Sequence, residues 1–129
     1  MSEPIVYIDT SEIREGKIEE LKTAMNELVK FVQANEPRLI AYHVYIKEDG
    51  ARMTVLHVHP DAASLELHMK VAGPAFLRFR QFIKLLTIDV YGQLSNDLLE
   101  QARQKAQMLG NGTVLVRQLR AGFTRFAVC

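Results

Sequence analysis

Apolar and polar positions change period repeatedly along this chain, and each change marks an element. Residues 5–9 form a short β-rich run. From Lys17 onward Ile18, Leu21, Met25, Leu28 and Val32 recur at three- and four-residue steps, the stripe of a helix that Pro37 ends. Residues 38–47 are strand-like, with Leu39, Ile40, Tyr42, Val44, Tyr45 and Ile46. Asp49-Gly50, two positions that tolerate positive φ, predicts a hairpin into a return strand over 52–59. Pro60 stops that strand, and Asp61 is placed to cap a helix over 61–72. Gly73-Pro74 is expected to break or kink this helix, which resumes over 75–83 with Phe76, Phe79, Phe82 and Ile83. A fourth strand is expected over 85–91. Ser95 then caps a third helix whose stripe is Leu98, Leu99, Ala102, Ala106 and Leu109. Gly110-Asn111-Gly112 ends it, a fifth strand follows over 113–119, and the tail 123–129 is expected to be extended. There is no internal repeat, low-complexity segment or linker.

The order β-α-β-β-α-β, then α-β, predicts an α+β fold. Its first six elements match the ferredoxin-like, split βαβ arrangement. One domain over 1–129 is expected, with a core of about 4–92 and an αβ extension over 95–129. In that topology strands one and three are central and antiparallel, and strand four runs parallel to strand three. His57 and His59 should therefore lie near Tyr7, with Tyr91 at the same end and Asp9 at the far end with Met53 and Tyr45.

Sorting the strands by parity gives two sets. One holds Val6, Ile8, Tyr42, Val44, Leu56, Val58, Ile88 and Val90; the other holds Tyr7, Asp9, His43, Tyr45, Val55, His57, His59, Asp89 and Tyr91. If each set shares a side, one face is oily and the other is rich in histidine and tyrosine. Helices cover one side of such a sheet, and the other keeps too much apolar area for a monomer. A second copy of the chain is the expected cover, making a homodimer.

Composition removes several classes of function. The formal net charge is +1 over 129 residues, and no basic stripe appears, so no nucleic-acid partner is expected. No apolar run approaches the length of a membrane span. The single cysteine, Cys129, fits a reducing compartment, and Met-Ser-Glu-Pro has no basic segment followed by an apolar one; the expected location is cytoplasmic. Glycine-rich nucleotide loops, nucleophile elbows and paired cysteines are absent from the sequence.

The chemistry on offer is histidine chemistry. His57 and His59, two apart on one strand, point the same way, and His68 follows on the next helix. Such a pair suits chelation, with His43 or His68 as third ligand and Asp89 as the nearest carboxylate; a polar cavity lining is the simpler reading. The hydroxyls of Tyr7, Tyr45 and Tyr91 can bond a ligand, or simply a neighbour in the core.

Several of these residues carry a resemblance. Arg14-Glu15-Gly16-Lys17 at the entry to helix one, the Asp49-Gly50 hairpin, and Val58-His59-Pro60-Asp61 through Ala63-Ser64-Leu65 to His68 make residues 4–92 resemble the antibiotic biosynthesis monooxygenase superfamily. His59 stands where an aromatic residue is usual, His68 matches a helix histidine, and Pro74-Ala75-Phe76 matches a later segment with alanine in place of its histidine. The chain has no tryptophan, which sets it apart from the heme-degrading branch. The resemblance implies a dimeric α/β barrel. It also implies a monooxygenase that uses neither metal nor flavin, acting with dioxygen on a small phenolic, quinol or polyketide-like aromatic. His68 would be its base, since histidine titrates near neutrality, and Tyr7, His43, His57, His59 and Tyr91 would line the substrate pocket. The alternative on the same fold is a dimeric ligand-binding protein without catalysis, and a third reading is a metal site at His57 and His59.

Overall fold

In a computed structural model, which describes residues 3–126, the apolar runs become nine elements. They are β1 (Ile5–Ile13), α1 (Ile18–Asn35), β2 (Ala41–Ile46), β3 (Arg52–His59), α2 (Ala62–Phe76), a 3-10 turn (Leu77–Gln81), β4 (Ile83–Tyr91), α3 (Asn96–Met108) and β5 (Thr113–Arg117). This is the expected α+β, ferredoxin-like order. β1 runs past the apolar run that announces it, because Ser11 and Glu12 keep pairing with Met53 and Arg52. The tail through Phe126 forms no strand, and Cys129 lies outside the described residues.

The strands form one sheet in the order β2-β3-β1-β4-β5, with β1 antiparallel to β3 and β4, and β5 parallel to β4. α3 is the crossover between β4 and β5. The helices share one side. α1 buries Leu21, Ala24, Met25, Leu28 and Val32 with Met53 and Val55 of β3. α3 buries Leu98, Ala106 and Leu109 against Ile5, Tyr7, Leu85, Ile88 and Val90 of β1 and β4, and α2 contributes to both halves through Ala72, Phe76 and Leu65. Among the described residues no helix is long and apolar enough to cross a membrane.

The local start signals act as the sequence suggests. The Asp61 carboxylate accepts from the Ser64 N–H at 3.0 Å, and the Ser95 hydroxyl accepts from the Leu98 N–H at 3.1 Å. Gly50 takes φ of 72° in the hairpin, whereas Asp49 does not turn left-handed. Gly73-Pro74 does not break α2. Pro74 falls in its last turn, where the missing N–H leaves only the Lys70 carbonyl without its helical donor, and the chain then tightens into the 3-10 turn.

The parity grouping is corrected for two strands. Tyr42 pairs with His57, His57 with Tyr7, and Tyr7 with Val90, so these four form one row on the helix-covered face. Tyr42, Val44 and Val90 therefore join Tyr7 and His57, while His43, Tyr45, Asp89 and Tyr91 go to the outer face with Val6, Ile8 and Leu56. Alternation within a strand is fixed, but its phase relative to a neighbour depends on turn length and on bulges, such as the register shift at Thr10/Ser11. Asp9 likewise sits in mid-strand opposite Val55 and Ile88, not at the far end with Met53 and Tyr45.

Candidate functional site

Three of the four histidines are buried together beneath the helices. β3 delivers His57 and His59 from one face, and α2 lowers His68 onto them. The His57 ring lies 4.6 Å from that of His68, edge to face, and 5.7 Å from that of His59; His59 and His68 are 5.8 Å apart. Tyr7 and Tyr42 flank His57 at 4.8 and 4.6 Å, and Phe76 lies 6.0 Å from His68.

Each outer histidine is held through Nδ1. His68 Nδ1 lies 3.0 Å from both carboxylate oxygens of Glu36, a buried residue at the end of α1. A carboxylate only accepts, so Nδ1 carries a proton, and the ring is held with Nε2 turned toward the other histidines. That Nε2 is buried and has no partner among the described residues. His59 Nδ1 shares a 2.8 Å hydrogen bond with the Ser64 hydroxyl, leaving its Nε2 without a partner as well. Among the described residues both His57 nitrogens are likewise unpartnered, and the Tyr7 hydroxyl beside them faces the Lys105 ammonium. Buried polar atoms are nearly always bonded, so this concentration makes the cluster the candidate functional site.

Burial, reinforced by the neighbouring His68 and Lys105, holds His57 well below the usual imidazole range. Burial also pulls His59 down to about 3, with His68 second. Both are neutral near pH 7. The Tyr7 and Tyr42 phenols are pushed up, chiefly by burial, and stay protonated donors.

A second polar group closes the row. Lys105 of α3 donates to the Asp9 carboxylate at 3.1 Å, both side chains being buried. Its Nζ lies 4.3 Å from the Phe76 ring centre and 5.0 Å from that of Tyr7. The pair opens onto a small cavity of about 30 Å³, room for a water molecule or two, whose walls include Tyr42, Met25, Met53 and Phe76. Tyr42 and Phe76 thus touch both the cavity and the histidines.

Of the residues singled out from sequence, the structure brings Tyr7, His57, His59 and His68 together. His43 and Tyr91 lie on the outer face: His43 is 3.2 Å from the Tyr45 hydroxyl, and the Arg117 guanidinium sits 5.2 Å over the Tyr91 ring. Asp89 is bonded to Arg117 there, at 2.8 Å. Among the described residues no group of three or more histidine, cysteine, aspartate or glutamate side chains is arranged to hold a metal ion. Sequence reasoning missed Glu36, Tyr42, Asp9 and Lys105. Lys105 had a signal: it sits in step with Leu98, Ala102 and Leu109 on the apolar stripe of α3, where a cation needs a buried partner. Glu36 had none, since helix ends are commonly polar.

No family model matches the chain, and no curated protein does. Solved structures show the same fold: it is the ferredoxin-like one shared by a candidate antibiotic biosynthesis monooxygenase and a cofactor-independent oxygenase. MupZ from Pseudomonas fluorescens superposes with a TM-score of 0.72 at 18% identity, covering 97% of this chain and 91% of its own. A candidate antibiotic biosynthesis monooxygenase from Caulobacter crescentus CB15 gives 0.63 at 18% identity over 73% of this chain and 92% of its own. SnoaB, a cofactor-independent oxygenase from Streptomyces nogalater, gives 0.59 at 11% identity over 72% and 95%. The first of these overlaps extends over α3 and β5; the other two have the length of the β1–β4 unit.

Proposed function

We propose that this protein is a small oxygenase that works without a bound cofactor on a phenolic, quinol or polyketide-like aromatic. The observation that carries this reading is His68 Nε2: a buried ring nitrogen with no partner among the described residues, on a ring fixed by a carboxylate at the opposite nitrogen. A base so placed removes the proton of a bound phenol, and the charge left on His68 is met by Glu36. The ionised aromatic is electron-rich enough to reduce dioxygen directly. The substrate supplies two electrons and two hydrogens beyond those it keeps; one oxygen atom enters the product and the other leaves as water. In this reading Tyr7, His57 and His59, packed around His68, border the bound substrate and offer hydrogen bonds to developing charge. Resemblance in fold to SnoaB and to the Caulobacter protein supports this reaction class. The active form is a homodimer in this reading, with the outer sheet face, half-buried Val6, Ile8 and Leu56 beside exposed Tyr45, turned toward a second copy.

Oxygen consumption by metal-stripped protein over a panel of quinols, anthrones and catechols tests the proposal. Uptake that His68→Ala abolishes is expected. Uptake indifferent to His68 would overturn the role of that residue. Tight aromatic binding without uptake would turn the reading to a ligand-binding protein, which the same cluster of unpartnered atoms also suits.

A further inference from the structure

Lys105 is an ammonium in the interior, 7% exposed, and Asp9 takes one of its three N–H donors. The Tyr7 hydroxyl faces it from another side, and the aromatic faces of Phe76 and Tyr7 occupy part of its remaining surroundings. The groups facing it are Asp9 and Tyr7 from β1, Tyr42 from β2 and His57 from β3, while α1 presents Met25 and Leu28 to the same cavity. The wall is otherwise apolar, including Val55, Leu85 and Leu109. A cavity with one charged corner and oily walls selects a ligand that is apolar except for one oxygen. The thioethers of Met25 and Met53 repack readily, so the space can widen for a ring.

We propose that Lys105, set against Asp9, is the oxyanion-binding group of this cavity, holding the ionised hydroxyl of an aromatic ligand by its free N–H donors. The inference rests on the reading that the protein takes a hydroxylated aromatic, but not on any oxidation of it. With Asp9 present the corner is neutral overall, so Lys105 favours the ionised hydroxyl only as far as Asp9 allows. Its ionisation follows the balance between the two side chains: removing Asp9 favours the anion, and removing Lys105 favours the neutral phenol.

The test uses full-length protein and 4-nitrophenol, whose visible absorption reports its ionisation. The apparent pKa of the bound probe is read by pH titration for wild type, Asp9→Asn, Lys105→Met and the double variant Asp9→Asn/Lys105→Met, each checked for folding by circular dichroism. The expected order, from lowest bound-probe pKa to highest, is Asp9→Asn, wild type, Lys105→Met, with single-variant shifts of about one unit in opposite directions and the double variant between them. A shift of one unit corresponds to about tenfold in preference for the anion. Should one single variant fail to fold, the double variant and Lys105→Arg, which keeps the charge and should leave the probe as in wild type, carry the comparison. Equal pKa values across the folded variants, shifts of the same sign, or a wild-type protein that leaves the probe's titration unchanged would overturn the inference. Ordered shifts in a protein that takes up no oxygen would uphold it while refuting the oxygenase reading.

Discussion

His68 and Glu36 show how one side chain sets the chemistry of another. Replacing the base is expected to lower oxygen uptake about 10²- to 10⁴-fold. His68→Ala also strands the Glu36 carboxylate in the interior, a loss of about 3–5 kcal/mol, so His68→Gln is the better kinetic probe. Glu36→Gln keeps the shape and removes the charge that meets the imidazolium; kcat is expected to fall by about tenfold or more with KM little changed. His57 and His59 set a pH dependence of stability. Their folded-state pKa values lie below the ordinary value of 6.5, by burial first, so the unfolded chain binds protons that the native state refuses. Their contribution is complete above about pH 6.5 and erodes as pH falls toward the depressed value, about 3 for His59. Each costs roughly 1 kcal/mol of stability per pH unit within that window. Urea unfolding at pH 7.5, 6 and 5 checks this, and His59→Asn should flatten the curve.

Elements were legible where the signal is local. Asp61 and Ser95 announce α2 and α3 because an N-cap needs only a side chain three residues before its partner N–H; Ser95→Ala should lower unfolding free energy by about 1 kcal/mol in chemical denaturation. The pairing of His57 with Tyr7 also followed from sequence, since antiparallel strands of a ferredoxin-like sheet leave little choice. The side on which His43 and Tyr91 fall did not follow. That depends on a one-residue offset across a hairpin and on a bulge, neither of which leaves a compositional trace. Pro74 misled for a related reason: its cost depends on how many turns remain after it, and here almost none do. Half of the site was therefore visible as a histidine pattern. The other half, Glu36, Tyr42, Asp9 and Lys105, comes from elements remote in sequence and meets only in three dimensions.

At the scale of the molecule the sheet has one covered side and one bare one. The bare side carries half-buried Thr54, Leu56 and Val58 in its middle, with Tyr45 54% and Tyr91 41% exposed around them. Sedimentation is expected to find a dimer, and Tyr45→Asp to shift it toward monomer while leaving the circular dichroism unchanged. The covered side couples the two ends of the chain. Asp9 and Lys105 are 96 positions apart and each is tolerable inside only because of the other. A substitution at either alone is a defect, while the two together can be exchanged for an apolar pair. Substitutions at the two positions are therefore coupled. The segment after Tyr91 cannot be traded for that of a relative, however well its helix packs, unless the donor segment brings a cation to the same depth or the recipient first gives up its acid.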